Sequence, residues 1–179
     1  MGVLEQEERK RFEDCILPHL DAAFNLARWL LRSREDAEDV AQEAMLRAYR
    51  FFGSYRAGDG RAWLLQIVRN CCYTWLQKNR AGEELSDTME ETIPDEGDSP
   101  ETLAIASFDR ERLGSALESL SPHFREVLVL RELEGCSYKE IAAITSRPIG
   151  TIMSSLARGR QQLKRALTQA KESEARRAV

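Results

Sequence analysis

The stretch SYKEIAAITSRPIGTIMSSLARGRQQLKRA (137–166) decides the fold of this chain. Ser137 and Glu140 stand three residues apart, the spacing of a capping box that begins a short helix over 138–144. Pro148 then begins a longer helix, because proline is tolerated at the first helical position. Two helices joined by a short turn form a helix-turn-helix, whose second helix enters the major groove of DNA. The stretch therefore predicts a helical module that binds a duplex.

The second helix of this module carries groups that suit DNA. Between Ile141 and Lys171 there are six basic residues and no acidic one. Positive charge attracts phosphate, while serine, threonine and arginine side chains reach base edges. An ordinary helical hairpin is the simpler alternative, and the charge pattern favours DNA binding over it. The candidate contacts are Arg147, Thr151, Ser154, Ser155, Arg158 and Arg160.

An acidic segment divides the chain into two helical parts. Residues 81–101 hold nine acidic residues and no basic one, together with two glycines and two prolines. This composition predicts a flexible linker over 81–102, between a first domain (1–80) and a second domain (103–179). Without those nine residues the chain has 26 basic and 21 acidic residues. The folded parts are therefore basic, which indicates nucleic acid as a partner.

The first domain is predicted to contain three helices, because apolar residues recur there at helical spacing. One apolar stripe runs from Phe12 to Leu31, a second helix begins near Ser33, and a third covers about 61–80. The outer face of the second helix is mainly acidic, and a solvated surface is its simplest interpretation. We refer to it below as the acidic face, made of Asp36, Asp39, Gln42 and Glu43.

The outer face of the third helix has a different character. From Arg61 to Arg80 there are four basic residues and no acidic one. Its exposed positions add amides and an aromatic ring, a combination that suits the stacking and phosphate contacts of single-stranded nucleic acid. A helix that only packs against its neighbours is the alternative. The residues of this face are Gln66, Arg69, Asn70, Tyr73, Gln77 and Arg80.

Composition argues against several other classes of protein. No apolar stretch approaches the roughly 20 residues of a membrane span, and no signal-peptide core follows the N-terminus, so we expect a cytoplasmic protein. The four cysteines lack C-x-x-C spacing and there are two histidines, so neither a disulfide framework nor a metal site is expected. We expect no cofactor and no catalytic residue, because the sequence has no glycine-rich phosphate loop and no nucleophile–base pairing.

Two long stretches resemble a known family. DAEDVAQEAMLRAYRFF (36–52) with GSYRAGDGRAWLLQIVRNCCYTWLQKNR (53–80) resembles the second conserved region of extracytoplasmic-function sigma factors of the sigma-70 family. LSPHFREVLVLRELEGCSYKEIAAITSRPIGTIMSSLARGRQQLKRAL (120–167) is similar to their fourth region. The resemblance implies an all-α fold with two small helical domains and a subunit that directs RNA polymerase to promoters.

The resemblance also implies a role for each surface. The acidic face matches the surface that grips the β′ clamp helices of core RNA polymerase, whose β subunit is a further expected partner. The second helix of the helix-turn-helix matches the helix that reads the minus-thirty-five element of promoter DNA. An anti-sigma factor is the third expected partner. The residues that match the minus-ten surface are Tyr55, Arg56, Asp59, Arg61, Arg69, Asn70 and Tyr73.

Two positions depart from the family, and two other functions stay open. Ser146 stands where the family often has glycine in the turn, and Ser155 stands where many members have arginine. One alternative is a stand-alone helix-turn-helix regulator, which leaves the first domain without a role. The other is a sigma mimic that sequesters an anti-sigma factor, which would not need the basic second helix.

Overall fold

The computed structural model of the chain describes residues 3–56, 58–80 and 112–177. These residues form helices and turns, with no strand among them. The predicted all-α fold of two helical domains is confirmed. The predicted linker over 81–102 lies outside the described residues, as does the start of the helix expected near residue 108.

The first domain begins with two helices where the sequence showed one apolar stripe. Helix α1 covers Val3–Ile16 and helix α2 covers Leu20–Leu31, with a 3₁₀ turn over Leu17–His19 between them. Pro18 lies in this turn and has no backbone N–H, so the α-helical bonding cannot continue through it.

Helices α3 and α4 complete the first domain. Helix α3 covers Arg34–Phe51, and its N-cap is Ser33, whose side chain accepts a hydrogen bond from the backbone N–H of Asp36 at 3.2 Å. A 3₁₀ turn over Phe52–Ser54 and a loop lead into α4, Gly60–Arg80. The chains approach so closely here that a Cβ on Gly60 would lie 2.5 Å from the carbonyl oxygen of Cys15. Only glycine fits this position without a shift of backbone.

The described part of the second domain, residues 112–177, contains four helices, α5 to α8. Residues 112–118 are helical (α5), and α6, Pro122–Leu128, continues through a π-helical turn over Val129–Leu133. Gly135 follows with a φ of 65°, a left-handed conformation that glycine adopts freely and that ends the helix. Helix α7 is Tyr138–Thr145 and α8 is Ile149–Arg177. The predicted capping box of Ser137 and Glu140 is present at the start of α7.

One hydrophobic core extends through both domains. Helix α2 contacts α6, and α4 contacts α7, so that α4 is packed on two sides. Leu64, Leu65, Val68 and Cys72 of α4 are all fully buried, as expected of a helix packed on two sides. The two domains therefore lie against each other in this structure.

None of the helices in the ranges given above is both long enough and apolar enough to cross a bilayer.

Candidate functional site

The acidic face lies on the outer side of α3. Asp39, Gln42 and Glu43 are exposed and Asp36 is half-buried near the start of the helix. Glu43 accepts a hydrogen bond from Arg47 Nε at 2.6 Å, in an exposed pair one helical turn apart. Such a pair contributes only a few tenths of a kcal/mol, so it leaves Glu43 available to a stronger partner.

The loop before α4 is organised by stacked aromatic rings. Tyr55 is buried and stacks on Phe52, with ring centroids 5.4 Å apart. Trp63 lies 5.0 Å from the Tyr55 ring and 6.3 Å from the Phe52 ring, so the three rings form one cluster. The Tyr55 hydroxyl donates to the carbonyl of Gly58 at 2.6 Å. The predicted minus-ten residue Tyr55 is thus a core residue of the loop.

Asp59 begins α4. Its carboxylate accepts from the backbone N–H groups of Arg61 at 3.0 Å and Ala62 at 3.2 Å, as an N-cap does. Arg56, Asp59 and Asn70 are the exposed members of the predicted minus-ten set. They lie along the loop and the outer side of α4.

The remaining members of the minus-ten set contact the second domain. Arg61 Nη2 donates to a carboxylate oxygen of Glu134 at 2.8 Å and to its carbonyl at 2.5 Å. Gln66, one turn along, donates through its side-chain amide to the carbonyl of Ala143 at 3.3 Å. The predicted outer face of α4 is therefore covered in part by the second domain, while Asn70 and Gln77 of the same face stay exposed.

Glu126 is the central residue of this contact. Its side chain is 0% exposed and accepts from Arg69 Nε at 2.5 Å and from the Tyr73 hydroxyl at 3.1 Å. Arg147, in the turn of the helix-turn-helix, lies 3.5 Å from its second oxygen. Burial raises the pKa of the Glu126 carboxyl, while Arg69 and Arg147 act in the opposite direction. Burial beside this carboxylate raises the pKa of Tyr73 to about 12, so its hydroxyl is a donor at neutral pH.

His123 connects the turn to α8. Arg147 can only donate, so its bond to His123 Nδ1 assigns the proton of a neutral ring to Nε2, which lies 2.9 Å from Ser155 Oγ. Burial, reinforced by Arg147 and Arg69, lowers the pKa of His123 and keeps this ring neutral at pH 7. Ser155 is 5% exposed. In this arrangement Ser155 therefore stabilises the domain and does not present its hydroxyl to DNA.

The other residues of α8 that were predicted to contact DNA lie on its outward side. Thr151, Ser154 and Arg158 are exposed there. Arg160 is half-exposed and paired with Glu132 at 2.6 Å. The structure thus brings three polar side chains together on one accessible face of α8.

Ser146 adopts a left-handed backbone in the turn, with a φ of 54°. This conformation costs a residue with a side chain about 1 kcal/mol or more, and glycine adopts it freely. Ser146→Gly is therefore expected to raise the free energy of unfolding by about 1 kcal/mol in urea denaturation. Ser146→Ala is the matched control, since it also loses the hydroxyl that Gln66 contacts at 3.3 Å but keeps the strain. Equal stability of the two variants would contradict this assignment.

Sequence reasoning missed Arg125, His123, Glu126 and Glu134. Arg125 is 1% exposed, and its guanidinium donates to five carbonyl oxygens, those of Trp29, Leu30, Leu117, Glu118 and Leu120. Burial lowers the pKa of Arg125 to about 10, which still leaves it charged at neutral pH. The signal in the sequence was the adjacent pair Arg125–Glu126 inside the apolar run of α6.

The structure describes the side chains of most of both domains. Within that part of the chain no three histidine, cysteine, aspartate or glutamate residues lie close enough to hold an ion. All four cysteines are free thiols, and Cys71, Cys72 and Cys136 are buried.

Two family models match the chain in the same order as the two domains. The model described as sigma-70 region 2 matches residues 15–82, and the model described as sigma-70 region 4 matches residues 110–163. The first match contains the acidic face and α4, and the second contains the helix-turn-helix.

Characterised relatives match along most of the chain. The ECF RNA polymerase sigma factor SigE of Mycolicibacterium smegmatis is 33% identical over 161 residues, which cover 89% of this chain and 63% of that protein. The ECF RNA polymerase sigma-E factor of Escherichia coli K12 is 36% identical over 138 residues, which cover 72% of each chain. A solved structure of the sigma factor RpoE with the anti-sigma factor NepR from Bartonella quintana is similar with a TM-score of 0.74 and 29% identity, covering 89% of this chain and 98% of that one.

Proposed function

Because the chain belongs to the extracytoplasmic-function group of sigma-70 RNA polymerase sigma factors, we propose that it binds core RNA polymerase and directs initiation at a specific set of promoters. One observation supports this proposal most directly: each of the two regions that match the family has an accessible surface. The acidic face is exposed in region 2, and the recognition face of α8 is exposed in region 4. We assign residues 1–80 to polymerase binding and the minus-ten element, and residues 103–179 to the minus-thirty-five element. Residues 81–102 are the proposed linker.

The acidic face is the proposed contact with polymerase. Asp39, Gln42 and Glu43 project from one side of a helix that is held rigidly by its buried alanines, Ala37, Ala44 and Ala48. A rigid row of exposed carboxylates suits a basic helical partner, because complementary charge speeds association and fixes orientation. The β′ clamp helices are the proposed partner, with the β subunit as a second contact.

The two domains are proposed to divide promoter recognition. The first captures the melted minus-ten strand through α4 and the loop before it, where extrusion of a base costs a few kcal/mol that a pocket must offset. The second reads the minus-thirty-five duplex through Thr151, Ser154 and Arg158. Cations position the protein on phosphate, and polar side chains at base edges give sequence preference.

Arg158→Ala should weaken binding of the second domain to promoter DNA and reduce its salt dependence. Arg158 is exposed on the reading face of α8. If it makes one phosphate contact, the slope of log affinity against log salt should fall by about 0.9. Fluorescence anisotropy over a salt series measures this slope. Arg165→Ala removes the same charge from another exposed position of α8 as a matched control. An unchanged slope for Arg158→Ala would exclude a phosphate contact.

An anti-sigma factor is the proposed regulatory partner. The similar solved structure from Bartonella quintana holds its sigma factor together with NepR, and the similarity extends over 89% of this chain. We infer a protein that contacts both domains and hides their polymerase and DNA surfaces. Because polymerase and chromosome are its targets, we place the chain in the cytoplasm, with no catalytic step of its own.

Two alternatives make different predictions. A stand-alone regulator would bind promoter duplex without core polymerase, and a sigma mimic would bind an anti-sigma factor without supporting transcription. The deciding experiment is reconstitution of the purified chain with core polymerase and genomic DNA, followed by sequencing of the transcript starts. A shared upstream motif at these starts supports the proposed function, and absence of specific starts would refute it.

A further inference from the structure

Helix α1 forms one wall of the loop between α3 and α4. It lies almost entirely before residue 15, where the match to the region 2 model begins. The Phe12 ring of α1 is buried and meets the rings of Phe52 and Tyr49 edge-on, with both centroid distances at 5.2 Å. The carbonyl of Cys15 lies against Gly60, where α4 begins. The loop is therefore supported by a helix that lies mostly outside the family match.

Arg11, next to Phe12, holds the start of this loop in two ways. Its guanidinium carbon lies 5.3 Å from the ring centroid of Phe52 and 5.9 Å from that of Tyr55. An arginine at such a distance over an aromatic face is attracted by the quadrupole of the ring. Its Nη2 also donates to the backbone carbonyl of Tyr55 at 3.3 Å. One side chain thus constrains both the ring and the backbone of Tyr55, a residue 44 positions away in the sequence.

Tyr55 transmits this constraint to the rest of the loop. Its hydroxyl donates to the carbonyl of Gly58 at 2.6 Å, and its backbone N–H donates to the carbonyl of Phe52 at 2.9 Å. At the far end of the loop, the Asp59 side chain caps α4. A loop that is held at several points is preorganised, because less conformational freedom remains to be lost when it binds a ligand.

We propose that Arg11 is a positioning residue of the minus-ten surface: by holding Tyr55, and through Tyr55 the carbonyl of Gly58, it keeps the loop before α4 in the arrangement that receives the extruded base. The inference rests on the proposed function for the role of this loop. Arg11 acts through Tyr55 and touches no base itself. Its removal should therefore leave duplex contacts intact and weaken only the step in which a base enters the loop.

Arg11 is exposed, so two simpler roles have to be separated from positioning. One is a general contribution to the stability of the fold, and the other is a direct contact with a DNA phosphate. The first would affect every region of the protein, and the second would be retained by any cation at this position. Arg11→Met removes the whole guanidinium. Arg11→Lys keeps the charge but lacks the planar group that spans two rings.

Hydrogen exchange of the full chain, without polymerase, tests whether Arg11 orders the loop. In Arg11→Met the amide of Tyr55 should exchange at least about tenfold faster than in the wild type, because the loop opens locally. The amides of Leu64 and Val68 inside α4 should keep the wild-type rate, and Arg11→Lys should give a smaller change at Tyr55. The matched control is Lys10→Met, which removes the same charge from the adjacent exposed position of α1, about 100° around the helix.

Binding of the holoenzyme to forked DNA tests whether the ordered loop captures a base. Each template carries the minus-ten strand of a promoter found in the reconstitution in single-stranded form, and a series places one abasic site at each position in turn. With all bases present, Arg11→Met should bind about tenfold more weakly than the wild type. On the template that lacks the captured base the two should bind equally, since changes that remove the same interaction are not additive. Lys10→Met should match the wild type on every template.

Three results would overturn the proposal. In the first, Arg11→Met speeds exchange at Tyr55 no more than at Leu64, so Arg11 does not order the loop. In the second, Arg11→Met loses the same affinity on every template, as the loss of a phosphate contact would. In the third, the wild type binds all abasic templates equally, which refutes the proposed capture of a base by this loop and does not involve Arg11. The exchange measurement contains no polymerase, so its outcome is independent of whether the chain supports transcription.

Discussion

Arg125→Met is expected to lower the free energy of unfolding by at least about 3 kcal/mol. The guanidinium of Arg125 bonds the carbonyls at the ends of two helices, α2 and α5, and its positive charge complements their negative dipole ends. Methionine fills similar space but leaves several buried carbonyls without a donor, each at a cost of about 1–3 kcal/mol. Urea denaturation of the full chain, followed by circular dichroism, measures the loss.

Two further variants make this experiment specific. Arg125→Lys keeps the charge but not the planar fork of donors, so we expect it to recover only part of the lost stability. Arg34→Met removes an exposed arginine paired with Glu38 and should change stability by less than about 0.5 kcal/mol. If Arg125→Met were as stable as Arg34→Met, the bonds from Arg125 to the carbonyls would contribute nothing measurable to the free energy of unfolding.

Asp39→Arg with Glu43→Arg is expected to weaken binding to core RNA polymerase by at least about 100-fold. Reversal of two carboxylates sets like charges against a basic partner, which costs several kcal/mol, and each 1.4 kcal/mol is a factor of ten. Both residues are exposed on α3, so the fold should not change. Competition against a labelled wild-type chain for core polymerase measures the affinity.

The matched control for this pair is Asp14→Arg with Asp21→Arg. These two residues are exposed on α1 and α2 and give the same change of charge away from the acidic face. If Asp39→Arg with Glu43→Arg kept its affinity for core polymerase, the docking assignment would be wrong. An equal loss of affinity in the control would show a general effect of charge and no specific role of the acidic face.

The helices could be predicted from the sequence because their signals are local. The capping box of Ser137 and Glu140, the N-cap Ser33 and the stop at Gly135 depend on neighbours a few residues away. The break between α1 and α2 was not predicted, because the apolar stripe from Phe12 to Leu31 continues across Pro18. The π-helical turn over Val129–Leu133 was not predicted, since its sequence has the same apolar periodicity as an α-helix.

The accessibility of the site residues could not be predicted, because it depends on long-range contact. Arg69 and Tyr73 have the spacing of an exposed helix face, and only the docked second domain covers them. Ser155 shares the outward pattern of Ser154, yet it is buried beside His123. Glu126 is 53 residues from Tyr73 in the sequence, so the spacing of residues within α4 cannot indicate this partner. The roles of the site residues in DNA and polymerase binding stay predictions.

Burial should slow the reaction of this protein's cysteines with oxidants and electrophiles. Thiolates, not thiols, are the reactive species, and burial raises the pKa of Cys71, of Cys72 and, to about 11, of Cys136. Of the four, only Cys15 is partly open to solvent. The native chain should therefore resist alkylation and peroxide at three of its four sulfur atoms, and reaction at those three would report that it has unfolded.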